Sequence, residues 1–404
     1  MRRFLSILIL ILTLVGCGGR SVIAPEPRVP EPSGAAEPLP PAEAPEETAP
    51  ESAPTEADAE AETVQKLLDG LTTEQKVGQL FFACCAEPDM AEKIARLGLG
   101  GVLLFGPDYK DASGAYLTEA AFTAKLGRYQ AAALDGCGIP LFIGSDEEGG
   151  TVTRASRNPN LFPAKLLSPQ ALYKAGGMTG LLTDTLQYND RLRALGVNVN
   201  FAPVADVSAD PKDFIYARAF GQDAAATADY VSRVVGVMRT AEIGSVLKHF
   251  PGYGNNADTH TGVAIDERPF EKFQTEDLLP FAAGIEAGAP FVLVSHNVVT
   301  CMDAERPASL SPAVHELLRG ELGFDGVILT DDLGMGAVKA YAESGGAAVM
   351  ALLAGNDMLV SSDFEAQIAG ILDAARTGAI PAEVIDAAAR RVLTAKLRLG
   401  LMGE

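Results

Sequence analysis

From residue 63 onward the chain alternates short apolar runs with longer stretches of helical spacing. The runs are Val77–Phe82, Gly101–Phe105, Pro140–Gly144, Val197–Pro203, Gly244–Leu247, Phe291–Val294, Gly326–Leu329 and Asp357–Val360. Between them, Ala171–Leu195, Asp223–Thr240 and Asp277–Ala287 place apolar residues at helical intervals, and Ala382–Leu399 comes after the last run. Strands apolar on both faces and separated by helices predict a parallel sheet covered on both sides. Eight such units in one domain predict a (β/α)8 TIM barrel, although an open doubly wound sheet shares the alternation.

The residues just beyond each run favour the barrel. Asp146 follows the third run, Asp206 the fourth, Lys248 and His249 the fifth, His296 the sixth, Asp331 and Asp332 the seventh, and Ser361, Ser362 and Asp363 the eighth. In a barrel those positions converge on one rim, where such folds carry their chemistry. Any one of them alone also reads as the cap of the next helix. Six strand ends bearing polar groups together predict an enzyme.

The first 62 residues have a different pattern. Arg2 and Arg3 precede an almost wholly apolar run from Phe4 to Val15, then Gly16 and Cys17, the layout of an export signal over residues 1–16. Leu14-Val15-Gly16-Cys17 resembles a bacterial lipoprotein box, which implies cleavage before Cys17, lipidation of that cysteine and anchoring on the outer side of a cell membrane. Residues 17–62 read as a disordered tether, with residues 63–404 as the folded domain. From Ser21 to Glu62 there are ten prolines and eleven acidic residues against one basic residue, Arg28. Such a segment buries too little to fold and extends by self-repulsion.

Net charge is −21. The tether contributes −10 and the first 20 residues +3, which leaves −14 for residues 63–404. A surface this acidic repels phosphate backbones and excludes a nucleic-acid partner. Five cysteines in 404 residues make no disulfide framework, and most of them read as buried free thiols.

Only four histidines are present: His249, His260, His296 and His315. His315 falls in a helical stretch, Ala313–Arg319, and reads as a surface or boundary residue. From Lys248 to about Glu271 neither strand nor helix periodicity is visible, and a loop of that length inside a compact domain is usually functional. Within it Asp258 and His260 stand two residues apart. In extended chain they project to one side, so the carboxylate can orient the imidazole of a general acid/base. A solvated loop histidine has the same sequence appearance. No HExxH motif or zinc-spaced cysteine set is present.

Asp331, a carboxylate at a strand end, suits a nucleophile. With a separate acid/base it fits displacement at a sugar carbon through a covalent intermediate. Asp146, Arg154, Arg218, Lys248 and His249 are candidates for fixed hydrogen bonds to hydroxyls, each also readable as a cap or surface ion pair. The chain has no Trp, which speaks against a long cleft lined with indoles and for a small polar pocket.

Taken together, Lys248-His249-Phe250-Pro251-Gly252-Tyr253-Gly254 and then Asp258-Thr259-His260 resemble glycoside hydrolase family 3, in particular its single-domain β-N-acetylhexosaminidase branch. Asp146-Glu147-Glu148-Gly149-Gly150 with Arg154, Phe201-Ala202-Pro203-Val204 with Asp206, Arg218-Ala219-Phe220-Gly221, and Leu329-Thr330-Asp331-Asp332-Leu333 with Met335 match in order over about residues 65–400. The resemblance implies Asp331 as nucleophile, His260 as acid/base and Asp258 as its partner. Asp146, Arg154, Arg218, Lys248 and His249 would hold the terminal sugar. It implies retaining exo-hydrolysis of β-linked N-acetylglucosamine and turnover of peptidoglycan fragments, and it implies no metal or organic cofactor.

Two positions depart from the branch pattern: Tyr253 stands where His is usual, and Thr151 where Arg is common. A histidine acid/base does not repel phosphate, so phosphorolysis stays open beside hydrolysis. The rival readings are a β-glucosidase-like activity and a catalytically silent wall-binding lipoprotein.

Overall fold

The computed structural model describes residues 55–84, 89–256, 262–339, 341–342 and 344–402. The expected export signal, Cys17, the tether as far as residue 54, Asp258 and His260 lie outside the described residues.

Ten strands follow in chain order: β1 (Phe81–Cys84), β2 (Gly101–Leu104), β3 (Phe142–Ser145), β4 (Val199–Asn200), β5 (Gly244–Phe250), β6 (Ile265–Asp266), β7 (Phe291–Val294), β8 (Val298–Val299), β9 (Val327–Thr330) and β10 (Leu359–Ser361). Eight of them form one sheet in the order β10–β1–β2–β3–β4–β5–β7–β9, and β6 pairs with β8 apart from it. Every ladder is parallel. The sheet's two ends meet where Leu329 bridges Met358 and the Thr330 N–H donates to the Met358 carbonyl at 3.1 Å. The sheet therefore closes into the expected (β/α)8 barrel.

The helices are α1 (Glu56–Gly70), α2 (Thr73–Gln79), α3 (Met90–Leu97), α4 (Glu119–Cys137), α5 (Pro169–Ala194), α6 (Ala224–Thr240), α7 (Phe270–Lys272), α8 (Leu278–Glu286), α9 (Pro312–Glu316), α10 (Gly336–Lys339), α11 (Ser344–Ala354), α12 (Phe364–Thr377) and α13 (Ala382–Arg398). Side-chain oxygens of Thr118, Ser168 and Asp223 cap α4, α5 and α6, supplying acceptors to amides that helix geometry leaves unpaired. Among the described residues no helix is long and apolar enough to cross a membrane.

The barrel interior is filled by phenylalanines. Phe82 stacks on Phe142 at 5.8 Å and meets Phe201 edge-on at 5.3 Å, while Phe142 meets Phe291 edge-on at 5.1 Å. Glycines on neighbouring strands make the room. A Cβ on Gly101 would stand 2.7 Å from Phe82, one on Gly144 2.6 Å from Phe201, and one on Gly244 2.9 Å from Phe291. Large rings opposite absent side chains give a packed core rather than a pore.

Several sequence expectations are corrected. The run Val77–Phe82 is not one strand, because its first half ends α2, which Thr72 and Gln75 start with a reciprocal capping box. A buried helix end and a buried strand look alike in an apolar run. The fold also begins before residue 63. Thr55 caps α1, Val64 and Leu68 are buried, and Glu60 pairs with Arg398 of α13 at 2.9 Å. Acidic residues that look like tether here sit at a helix N-terminus, where negative charge is favoured.

His315 is buried, with Nδ1 2.8 Å from the Ser311 carbonyl. Its helical segment packs inward, and burial pulls its pKa down. The long irregular stretch is interrupted by β6, too short to show a period. Of the described cysteines Cys84 is buried, Cys137 half-buried and Cys301 exposed.

Lys396 of α13 enters the base of the barrel, wholly buried, with Nζ 2.6 Å from Gln79 Oε1 and 5.1 Å from the Phe142 ring centre. Burial pulls its pKa down to about 7, whereas the unfolded lysine keeps its proton to about 10.5. Above pH 7 the folded chain releases a proton that the unfolded chain retains. Stability from this site therefore rises with pH across that window, by up to about 1.4 kcal/mol per unit. We predict that Lys396→Met removes this slope, read from urea unfolding at about pH 7, 8 and 9. Parallel profiles for parent and variant would refute it.

Candidate active site

At the C-terminal ends of the strands lies a cavity of about 270 Å³ lined by Asp146, Arg154, Arg218, Lys248, His249 and Asp331, together with Glu148, Asp332, Phe105 and Tyr253. All five expected sugar contacts and the expected nucleophile thus converge, from the ends of β3, β5 and β9 and the segments after β3 and β4. A larger recess of about 450 Å³ contains Arg193, Arg239 and Arg398. It opens around the starts of β5, β7 and β9, the end of a barrel that serves stability rather than chemistry.

The charged side chains of the cavity form a continuous chain. Lys248 Nζ lies 2.8 Å from Asp146 Oδ1 and 2.6 Å from Glu148 Oε1. Arg218 binds both Glu148 oxygens, at 2.7 and 2.8 Å, and its Nη2 stands 2.9 Å from His249 Nε2. His249 Nδ1 is 2.8 Å from Asp206 Oδ2. A guanidinium only donates, so Nε2 accepts from Arg218 and the ring proton sits on Nδ1, donated to Asp206. Arg154 reaches Asp146 more loosely, at 3.4 Å, and lies over the Phe105 ring.

Protonation is set by these contacts. Burial opposes a charge on Glu148, but Arg218 and Lys248 outweigh it and hold the carboxyl well below the usual range. Burial likewise works against the Lys248 ammonium, and Asp146 and Glu148 overcome it and raise its pKa. Arg218 is raised by Glu148 against the same opposition. The donors facing the cavity are therefore held fully charged and in fixed directions.

Glu148 belongs to the sequence motif that begins at Asp146, yet its role emerges only in three dimensions, and its neighbour Glu147 is equally structural. Glu147 accepts from Tyr188 at 2.7 Å and from the backbone N–H groups of Arg154 and Ala155, folding the segment that brings Arg154 to the cavity. Burial pushes Glu147 up while these donors pull it down. The available signal for Glu148 is its spacing, two residues beyond Asp146, which places both on one side of extended chain.

Asp331 follows β9, its N–H donating to the Val294 carbonyl at 3.1 Å and its Oδ1 accepting from the Asp332 N–H at 2.8 Å. Asp332 Oδ1 accepts from the backbone of Gly334 and Ser362, at 2.8 and 3.0 Å, so it shapes the turn. His296 is wholly buried, with Nδ1 2.7 Å from Ser309 Oγ and Nε2 3.1 Å from the Asp332 carbonyl. It supports the strand end that carries the carboxylate. Tyr253, where the branch pattern has His, is buried edge-on to His249 at 5.2 Å and lines the cavity. Among the described residues no cluster of three or more His, Cys, Asp or Glu is arranged to hold a metal ion.

Residues 72–395 match the sequence profile of the glycosyl hydrolase family 3 N-terminal domain. A β-hexosaminidase of Xanthomonas campestris is 32% identical over 310 residues, which cover 76% of this chain and 86% of the relative. The solved glycoside hydrolase family 3 β-N-acetylglucosaminidase of Paenibacillus sp. superposes with a TM-score of 0.75 at 30% identity, covering 83% of this chain and 64% of that one. The β-N-acetylhexosaminidase of Beutenbergia cavernae gives 0.72 at 32% identity, covering 81% and 98%.

Removing one member of a buried ion cluster leaves its partners uncompensated, at a cost of about 3–5 kcal/mol. We predict that Glu148→Ala loses stability on that scale in urea unfolding and raises KM at least about tenfold, because Lys248 and Arg218 lose their alignment. A stability loss with unchanged KM would show that the carboxylate serves the fold alone.

Proposed function

Because the chain belongs to glycosyl hydrolase family 3, and so is a glycoside hydrolase, we propose that it is a retaining exo-β-N-acetylhexosaminidase. It removes terminal β-linked N-acetylglucosamine, with peptidoglycan fragments as the source. The observation that carries this reading is that Asp331 lines the same small cavity as the ion-paired grip of Asp146, Glu148, Lys248 and Arg218. One sugar ring fits a cavity of about 270 Å³, which suits removal of a terminal unit. The names of the similar enzymes support the acetamido sugar.

In this mechanism the Asp331 carboxylate attacks the anomeric carbon as the glycosidic C–O bond breaks, and His260, oriented by Asp258, gives its proton to the departing oxygen. Water then enters on the same face. His260 takes a proton from it, the glycosyl–aspartate bond breaks, and configuration is retained. Asp146, Arg154, Lys248 and Arg218 hold the ring hydroxyls, with His249 fixing Arg218 from behind. Cys17 carries the lipid that anchors the exported protein to the cell membrane, on the side where wall fragments arise.

Phosphate is the alternative acceptor. The test uses a protein beginning no later than Thr55, with chromogenic β-N-acetylglucosaminide and β-glucoside, each with and without phosphate. We expect preferential release from the acetamido sugar, independent of phosphate. Asp331→Ala should lower kcat by about 10⁴-fold or more, the scale of losing a nucleophile. Activity on glucoside alone would overturn the substrate, a sugar 1-phosphate product the acceptor, and unchanged activity of the variant the mechanism.

A further inference from the structure

The chain leaves the barrel at the end of β5 and runs to β6, which pairs with β8 outside the barrel sheet, and one side chain holds both ends of that excursion. Arg268 uses every donor it has. Nε donates to Asp266 at 3.0 Å, Nη2 to Asp266 at 2.8 Å and to the Gly252 carbonyl at 3.1 Å, and Nη1 to both oxygens of Asp277 at 2.9 and 3.1 Å. Its face lies 4.4 Å from the centre of the Phe273 ring. The same peptide unit that offers the Gly252 carbonyl to Arg268 donates its N–H, that of Tyr253, to Asp206 Oδ1 at 2.8 Å. One peptide plane at the root of the loop is thus pinned from both sides.

The backbone passes too close for side chains. A Cβ on Gly254 would stand 2.2 Å from Arg268 Nη1, and one on Gly252 2.6 Å from Asp277 Oδ1, with φ of +51° and +120°. Both glycines are required by that approach. At the far end β6 is tied to β8, with the Val298 N–H donating to the Ala264 carbonyl at 2.8 Å and the Thr300 N–H to the Asp266 carbonyl at 2.9 Å. Burial first, then Asp206 and Asp266, push Asp277 up to about 6 against the pull of Arg268. Carboxylates this crowded are costly to keep together for mere surface cohesion, and the guanidinium between them offsets that cost.

We propose that Arg268 is a positioning residue for catalysis: by tying Gly252 to Asp266 and Asp277 it fixes both ends of the segment whose sequence carries the proposed acid/base, and it sets Tyr253 against the cavity. This rests on the functional reading above, in which His260 protonates the leaving group. Lys in its place has no planar fork to serve a carbonyl and two carboxylates at once. Asp146, Glu148 and Lys248 are not among the partners of Arg268, so most of the damage falls on proton transfer.

The test compares full-length parent, Arg268→Ala and Arg268→Lys on two N-acetylglucosaminides. One is a disaccharide, whose leaving alcohol needs a proton, and the other a 2,4-dinitrophenyl glycoside, whose leaving group departs without one. We expect Arg268→Ala to lower kcat/KM about 100-fold on the disaccharide and less than about threefold on the dinitrophenyl glycoside, with Arg268→Lys between parent and Ala. Circular dichroism and thermal unfolding check that each variant is folded, and if the Ala variant is not, the Lys variant carries the same comparison. Equal losses on the two substrates, or none, in an active parent background overturn the positioning role alone. A parent inactive on both overturns the functional reading and this proposal with it.

Discussion

The ion cluster of Glu148 with Lys248 and Arg218 is the constraint on which the site depends. Each of these groups is expensive to remove from water singly. Together they meet the cost, because Lys248 has two carboxylates within 2.8 Å and Arg218 makes a two-pronged contact with one of them. Cations already matched inside the protein do not reorganise when a neutral hydroxyl arrives, so they act as fixed dipoles rather than mobile charges. The cluster also joins the end of β3, the end of β5 and the segment after β4. The proposed sugar grip and the rim of the barrel are one network.

That network needs strand ends which do not move. The phenylalanine layer below it supplies them, since Phe82, Phe142 and Phe291 on three strands and Phe201 just after β4 interlock against glycines on neighbouring strands. Lys248 itself stands over Phe201 at 6.0 Å, so the topmost ring of the core is the floor of the site. On the opposite wall Asp331 is set by a strand hydrogen bond to Val294, and Asp332 and His296 close the turn behind it. Core, turn and the proposed nucleophile form a short mechanical path.

The barrel is legible in the sequence because eight fully buried strands leave apolar runs that helices punctuate, and the polar residue after each run marks the rim. Asp146, Lys248, His249 and Asp331 can be found that way, and they share one cavity with Arg154 and Arg218, which come from the segments that follow β3 and β4. Sequence alone suggests that His249 touches sugar, yet its two nitrogens are spent on Arg218 and Asp206, a pairing no linear spacing reveals. Glu148 is hidden for a related reason: its partners are 70 and 100 residues away, and a buried counter-ion has no pattern of its own. Helix α1 is lost in an acidic, proline-rich neighbourhood because composition reports solubility, whereas its docking on α13 depends on Val64, Leu68 and Glu60 meeting a surface distant in sequence. Two-residue strands such as β6 and β8 lie below the length at which alternation is detectable.

The site divides its labour between rigid and looped parts. The proposed grip and nucleophile, Asp331, come from strand ends and the segments after them, whereas the proposed acid/base, His260, belongs to the sequence between β5 and β6. A nucleophile must meet one carbon at one angle, which favours the stiffest element of the fold. A proton donor has to serve a leaving oxygen in the first step and water in the second. A loop can do both only if its root is fixed, because error at the root grows along the chain. The Gly252–Tyr253 peptide, its carbonyl on Arg268 and its N–H on Asp206, provides that fixed root. Asp206 also holds His249, which props Arg218, so the loop root is referenced to the atoms proposed to orient the sugar. In the proposed mechanism, proton transfer and sugar binding then share one frame, although they come from separate elements of the chain.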